Sequence, residues 1–344
     1  MRTQEPIHLT TVSSAFIEDW LIALARRCSP DDLRSLMQRS DMHHEPADIT
    51  QRVTLNQITS LYQLAAVETR DEMMGLWSRP VRPRALQHLV TVLREAASLP
   101  SALYRFSTFW NLILDDFQLE LSNKSDHLEL RVTPNSADAT PQRFGHMLIL
   151  KLAHGLLSWL AGHEVPVRHV RFAFQRPAFA ADYAVIFPTS VEFEAGCTSI
   201  SFDPYRLGDP IKRSSQEASE FLERAPLDWI FTAGRMHMYS LRVRAFLYRT
   251  QWQTCQLPEA AAAMKMTPRT FIRRLKDEGT SFQEIKDALR RDIAILALQE
   301  SKKTIDEISY ENGFSSSANF HRAFRKWTGR TPASYRQSVS GIKA

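Results

Sequence analysis

One six-residue pattern, used twice, limits what this chain can fold into more than any other feature. Phe271-Ile272-Arg273-Arg274-Leu275-Lys276 and Phe320-His321-Arg322-Ala323-Phe324-Arg325 both read Phe-x-Arg-x-(Leu/Phe)-(Lys/Arg), 49 residues apart, and each is followed by a glycine, Gly279 or Gly329. In a helix, positions i and i+4 share a face, so Phe271 with Leu275, and Phe320 with Phe324, form apolar stripes. The arginine two places after each Phe points away from that stripe. Each copy therefore predicts a helix fixed to a small core with a cation on its outer side.

The flanking residues supply the punctuation such helices need. Leu257-Pro258-Glu259-Ala260-Ala261-Ala262-Ala263 is a short helix with proline in its first turn, and Met264-Lys265-Met266 is a tight turn. Thr267 is an N-cap before Pro268, and the basic helix runs to about Glu278, stopping at Gly279. Ser281 and Glu284 form a capping box that opens a longer helix to about Ser301. Its expected buried stripe is Phe282, Ile285, Leu289, Ile293 and Leu296, and at 1.5 Å per residue it is about 30 Å long. A second capping box, Thr304 with Glu307, opens a helix that ends at Asn312-Gly313, and the second basic helix begins at Ser315-Ser316-Ser317. Short helix, tight turn, basic helix is helix-turn-helix grammar. A further helix, from about Met236 to Gln251, precedes it with Leu241, Ala245 and Tyr248 at helical spacing.

The 344 residues before and through this module are too many for one core, so two domains are expected. Residues 13–114 read as helical, with stripes at Phe16/Trp20/Leu24, Leu55/Ile58/Tyr62 and Leu86/Leu89/Leu93. The period then changes to alternation. Phe117 to Leu121 and Leu128 to Val132 predict one hairpin, and Val191-Glu192-Phe193 with Ser199 to Phe202 a second. A helix from about Arg143 to Gly162 lies between them. The expected fold class is an α+β N-terminal domain followed by an all-α DNA-binding domain, its two helix-turn-helix units joined by a long helix. The expected divisions are 1–210, a connector at 211–234, and 235–344. Charge is divided in the same way: from Arg235 onward there are 20 Lys and Arg against 10 Asp and Glu, while the rest carries 23 against 28. A basic segment beside an acidic body is the electrostatic footprint of a nucleic-acid module with a separate partner domain.

These residues resemble the AraC/XylS family of bacterial transcriptional regulators. The similarity runs through Thr267-x-Arg-x-Phe-x-Arg-Arg-Leu-Lys-x-Glu-Gly-x-Ser-Phe, Ile305-Asp-Glu-Ile-Ser-x-x-x-Gly-Phe314 and Phe320-x-Arg-Ala-Phe-Arg-Lys-Trp-x-Gly-x-Thr-Pro332-x-x-Tyr-Arg336. It covers about residues 240–337. The family's usual Ala and Leu before Gly-Phe are replaced by Ser309 and Asn312, which is expected to loosen the packing below the second unit. The N-terminal region, with Leu207 and Pro210 near its end, resembles the large arabinose-binding-domain-like sensor region of a subset of the family. The resemblance places base contacts on Arg269, Ile272 and Arg273 in the first reading helix, and on Ser317, Ala318, His321 and Arg322 in the second. Helical spacing agrees, since all lie off the Phe stripes. For Arg273 and Arg322 a bidentate guanine contact stands beside phosphate contact or a surface salt bridge. Ile272 would meet a thymine methyl. Arg274, Lys276, Arg325 and Lys326 are candidates for phosphate contact. Phe271, Leu275, Phe282, Phe314, Phe320, Phe324 and Trp327 are expected in the core.

Other chemistry finds no support in the sequence. Cys28, Cys197 and Cys255 show neither zinc spacing nor a disulfide framework. His43-His44, His146, His154 and His163 have no ligand spacing, so no metal and no cofactor are expected. No Gly-x-Ser-x-Gly, phosphate-cradling glycine loop or dinucleotide fingerprint occurs, so an enzyme is not expected. The first ten residues lack a signal-peptide core, and no run approaches the ~20 apolar residues of a membrane span. The expected protein is therefore a cytoplasmic regulator without membrane association that binds double-stranded promoter DNA as a homodimer, meeting RNA polymerase if it is an activator. Its N-terminal region would sense a small metabolite, dimerise, or both. Phe172, Phe174, Tyr183 and Phe187 are the aromatic stretch that would line such a pocket or else fill the core. The alternative is control by a protein partner with no small-molecule effector.

Overall fold

A computed structural model describes residues 11–42, 52–123, 127–135, 143–187, 189–208, 210, 212–230, 239–250, 252, 256–277, 280–300 and 303–340. In chain order they form β1 (Thr11–Ser13), α1 (Glu18–Ala25), α2 (Pro30–Arg39), β2 (Arg52–Thr54), α3 (Leu55–Glu68), α4 (Ala85–Arg94) and α5 (Leu99–Ile113). Next come β3 (Phe117–Asn123), β4 (Leu128–Pro134), α6 (Arg143–Ala161), β5 (Val167–Arg171), α7 (Tyr183–Ile186), β6 (Val191–Glu192) and β7 (Thr198–Phe202). The remainder is helical: α8 (Ser215–Glu223), α9 (Leu227–Ile230), α10 (Tyr239–Arg249), α11 (Leu257–Ala263), α12 (Pro268–Asp277), α13 (Phe282–Glu300), α14 (Ile305–Glu311), α15 (Ser317–Thr328) and α16 (Pro332–Ser340). The fold is thus α+β first and helical afterwards. It separates into two compact units. One holds residues 15–42 and 57–230, and the other holds 11–14, 52–56 and the described residues from 239 onward.

The α+β unit is built on a five-stranded sheet of order β3-β4-β7-β5-β6. The first expected hairpin is present: β3 and β4 pair antiparallel with Leu119 opposite Val132. The second is not. β6 runs parallel to β5, while β7 pairs antiparallel with β4 and β5, so β5 separates the two segments expected to pair. Spacing alone suggested a tight turn over 194–197, but the backbone of this stretch bonds elsewhere. The Glu194 N–H donates to the Phe174 carbonyl and the Ala195 N–H to that of Phe172. At the other edge, the Asn111 side chain of α5 accepts from the Leu119 N–H (2.7 Å) and donates to the Leu119 carbonyl (3.0 Å).

α6 is the core helix, buried over most of its length against α1, α5, α9 and β7. Gly155 is required there, because a Cβ at that position would lie 2.4 Å from the Trp229 carbonyl oxygen of α9. His146, Lys151, His154 and Ser158 go inside with this helix. His154 donates from Nε2 to the Val165 carbonyl (2.9 Å), leaving Nδ1 to accept from the Lys151 ammonium (3.0 Å). Phe172, Phe174, Tyr183 and Phe187 are all buried and touch one another, with ring centroids 4.7–6.4 Å apart, so the aromatic stretch is core. Residues 212–230, expected within a connector at 211–234, carry α8 behind a Ser214–Glu217 capping box and bury Ala218, Phe221 and Trp229.

The helical unit has an unexpected component. β1 and β2 form a two-stranded antiparallel ribbon, Val12 opposite Val53, and β2 lies inside the stretch 13–114 read as helical. Three-residue strands carry too little periodicity to register. The ribbon is joined to α13 through a buried polar node. Thr11 Oγ1 donates to Asp292 Oδ1 (2.5 Å), the Arg244 guanidinium of α10 donates to Oδ2 (2.8 Å), and Arg52 donates to Thr11 Oγ1 (3.1 Å). This node explains a shift in α10, which buries Val243 and Leu247 with Arg244. The expected stripe ran through Ala245 and Tyr248, both half-buried. Leu241, its third member, has a side chain outside the described residues.

Candidate nucleic-acid interface

α13 carries two small cores. Phe282, Ile285 and Leu289 belong to one, shared with Val243, Leu247, Ala260, Phe271 and Leu275. Ala294, Ile295 and Leu298 belong to the other, shared with Ile308, Phe320, Phe324 and Tyr335. At about 100° per residue these two sets lie on roughly opposite sides of α13. The single expected stripe was therefore half correct, since Ile293 and Leu296 are only half-buried. One 19-residue helix, about 28 Å long, thus supports two independent bases.

On the first base, α11 leads through Met264–Met266 into α12. Lys265 takes φ +57°, and the Met266 N–H reaches back to the Ala261 carbonyl. The Thr270 N–H is capped by Thr267 Oγ1 (3.3 Å), and Pro268 opens the helix. The expected stop at Glu278 and Gly279 lies outside the described residues. Phe271 and Leu275 are fully buried, each contributing about 1.5–3 kcal/mol of burial. That seating turns Arg269, Arg273 and Lys276 to solvent, and it leaves Ile272 51% exposed. An aliphatic side chain held half in water on a polar face has a transfer cost that folding does not recover. Arg274 sits to one side, its guanidinium 5.8 Å from the Tyr239 ring centroid of α10.

The second base repeats the arrangement. Thr304 and Glu307 form the anticipated capping box, and Gly313 takes φ +72° after α14. Hydrogen bonds from Thr304 hold the exposed Glu307 carboxyl below the usual carboxylate range. Ser316 is the N-cap of α15, accepting from the Asn319 N–H (3.3 Å), so Ser317 is the first helical residue. Phe320 and Phe324 are buried, and Ala318, Arg322, Arg325 and Lys326 are exposed. Ser317 and His321 are half-buried at the flank, with His321 edge-on to Phe320. Phe314 and Trp327, expected in the core, are half-buried at its rim. Among the described residues no ion pair engages Arg269, Arg273 or Arg325. Arg322 is oriented by its neighbour, donating to Asn319 Oδ1 (2.6 Å). Asn319 was missed at the sequence level, although an exposed Asn three residues before an Arg on one face was the available signal.

The substitutions Ser309 and Asn312 are buried beneath α15. Among the described residues the Ser309 hydroxyl has no partner, and Asn312 donates to the Ile308 carbonyl (2.9 Å) while its own Oδ1 has none. Both departures therefore place polar atoms where apolar ones would pack.

Two turn-linked helix pairs on one connecting helix, each with an apolar inner face and a cationic outer one, define a double helix-turn-helix DNA-binding protein. Comparison with known proteins agrees. Residues 32–211 match the N-terminal arabinose-binding domain of AraC transcription regulators, and residues 260–338 match a helix-turn-helix domain. The chain belongs to the AraC family of transcriptional regulators. It is 26% identical over 244 residues to the ornithine utilization regulator of Pseudomonas aeruginosa, spanning 71% of this chain and 72% of that one. It is 29% identical over 217 residues to the HTH-type transcriptional regulator VqsM of the same species, spanning 62% and 65%. Among solved structures it aligns over 94% of its length, and 98% of the other's, with the transcriptional regulator CdpR from P. aeruginosa, at 22% identity and a TM-score of 0.32.

Proposed function

We propose that this regulator reads promoter DNA by laying α12 and α15 in successive major grooves, with Arg269, Ile272, Arg273, Ser317, Ala318, His321 and Arg322 at the base edges. The observation that carries this is the repetition: Arg273 and Arg322 occupy equivalent positions opposite the buried pairs Phe271/Leu275 and Phe320/Phe324. Lys276, Arg325 and Lys326 then face phosphates, whereas Arg274, stacked on Tyr239, braces α12 from within the chain. A homodimer would present four reading helices in the cytoplasm and, as an activator, would meet RNA polymerase. The test is a gel shift on fragments enriched from random DNA. Arg273→Ala and Arg322→Ala should each weaken specific binding by about 1–3 kcal/mol, roughly 5- to 150-fold, with a smaller effect on random DNA. Loss of equal size on both would make them phosphate contacts, and no preference over random competitor would overturn the reading.

We further propose that the α+β unit senses a small metabolite, which leaves catalysis without a role. Beside the aromatic core lies an open cavity of about 520 Å³, lined by His169, Arg176, Ser190, Glu192, Phe193 and Glu194. Both signs of charge are present there, and Arg176 stacks over Phe193 at 5.6 Å. Such a lining suits a small zwitterion, in keeping with a relative named for ornithine utilization. Stabilisation of the protein by amino acids in a thermal-shift screen, abolished by Glu194→Ala, supports this. Stabilisation by none would favour control by a protein partner.

A further inference from the structure

Two reading helices on one rod read DNA in register only if the second base cannot swivel about that rod. Shifting one element by a single base pair moves it about 3.4 Å along the duplex and turns it by about 35°. α13 fixes the separation along its own axis. Rotation about that axis is set by how each base docks on its face of the helix and is held by what ties the two bases together.

One side chain among the described residues stands between the two, beside a second tie in which the Arg52 N–H donates to the Tyr335 hydroxyl (3.4 Å). Arg290, on α13, has its guanidinium 4.9 Å from the ring centroid of Trp252 and 4.7 Å from that of Phe314. Trp252 packs on the first core, while Phe314 packs on the second, touching Phe320 of α15 at 5.4 Å. The stack is pinned by directed bonds. Arg290 Nη2 donates to the Gly313 carbonyl (2.9 Å), and Trp252 Nε1 donates to the Glu311 carbonyl (2.9 Å). The turn of the second unit is shaped to admit it: a Cβ on Gly313 would lie 2.7 Å from Trp252 Cγ. A planar cation between two aromatic faces resists twisting, because rotation of either base would slide a ring off the guanidinium. α14 and α15 are thereby tied to the first unit at a point away from both reading faces.

We propose that Arg290, held between Trp252 and Phe314, is the positioning residue that sets the spacing between the two half-elements of the operator. It touches no base, and it acts through the angle between α12 and α15. This rests on the two-groove reading above.

The experiment uses the full chain. Sites are selected from random DNA with the wild-type protein, and the recovered site is rebuilt with one or two base pairs added or removed between its half-elements. Wild type should lose about tenfold or more per base pair of change, as for a lost base contact. Arg290→Met should flatten that dependence to within about threefold, with affinity for each half-element alone unaltered. Trp252→Leu, which removes one ring and the Glu311 bond, should flatten it partly, and it decides the matter if Arg290→Met does not fold. A merely structural role would weaken binding at every spacing alike. An unchanged spacing profile in the folded variants overturns the proposal. A wild-type profile that is already flat, or a selected site with one half-element, overturns the two-groove reading itself.

Discussion

Asp292 draws its partners from three distant parts of the chain, Thr11, Arg52 and Arg244. It is fully buried, and burial alone would raise its pKa. Arg291, Arg244 and Arg52 together hold the carboxyl below its ordinary range instead. Arg244 is likewise buried, and desolvation lowers its pKa. Asp292→Asn keeps the shape and removes the charge, leaving Arg244 without its counter-ion in a site with little water. Breaking one member of a buried pair costs about 3–5 kcal/mol. For a unit of this size that is a fall of roughly 10–20 °C in its melting transition. Thr11→Val should cost about 1–2 kcal/mol, and the double variant should cost less than the sum by a coupling of at least about 1 kcal/mol. Because the carboxyl titrates lower in the fold than in the unfolded chain, its stabilisation is complete above the unfolded value of about 3.9 and is lost as pH falls through the folded one. The Asp292→Asn deficit should therefore be constant from pH 5 to 8. Calorimetry of the four proteins measures this. Additive losses would refute the attachment of the ribbon to α13, and a loss under about 1 kcal/mol would refute the buried pair.

Three other perturbations have defined outcomes. Burial lowers the His146 pKa to about 4, against a weaker pull upward from Asp19, and its Nδ1 has no partner among the described residues. The unfolded chain then binds the extra proton below about pH 6.5, so the α+β unit should lose about 2–3 kcal/mol between pH 7 and 4.5, and equilibrium unfolding of His146→Phe should show a shallower slope. Ser309→Ala removes a buried hydroxyl with no partner, and urea unfolding should find the second base more stable by about 0.5–1.5 kcal/mol; destabilisation would mean that the hydroxyl is satisfied. Gly313→Ala meets both a φ of +72° and the Trp252 ring, and should cost about 1–3 kcal/mol while broadening operator spacing as Arg290→Met does.

The reading unit was legible because its signals are local. Capping residues, prolines and i,i+4 stripes each act within a turn, and Thr267, Ser281 and Thr304 cap as expected. What escaped depends on distant residues. Arg244 faces inward only because Asp292 lies 48 positions on, and the stripe on α13 changes sides because a second core covers its other half. The parallel placement of β6 was hidden for the same reason, since strand order is set by which strand enters between two others. In the interface, the outer face of each reading helix followed from its inner one. The stacking of Arg274 on Tyr239 did not, because it needs the position of α10.

Asn111 has a consequence of its own. Its amide offers Leu119 both the acceptor and the donor that a neighbouring strand would bring, so the outer rim of β3 is chemically saturated at that residue. A strand from another molecule could not zip along this border without first displacing a helix-borne side chain. The same small group thereby closes the sheet at Leu119 to a further strand.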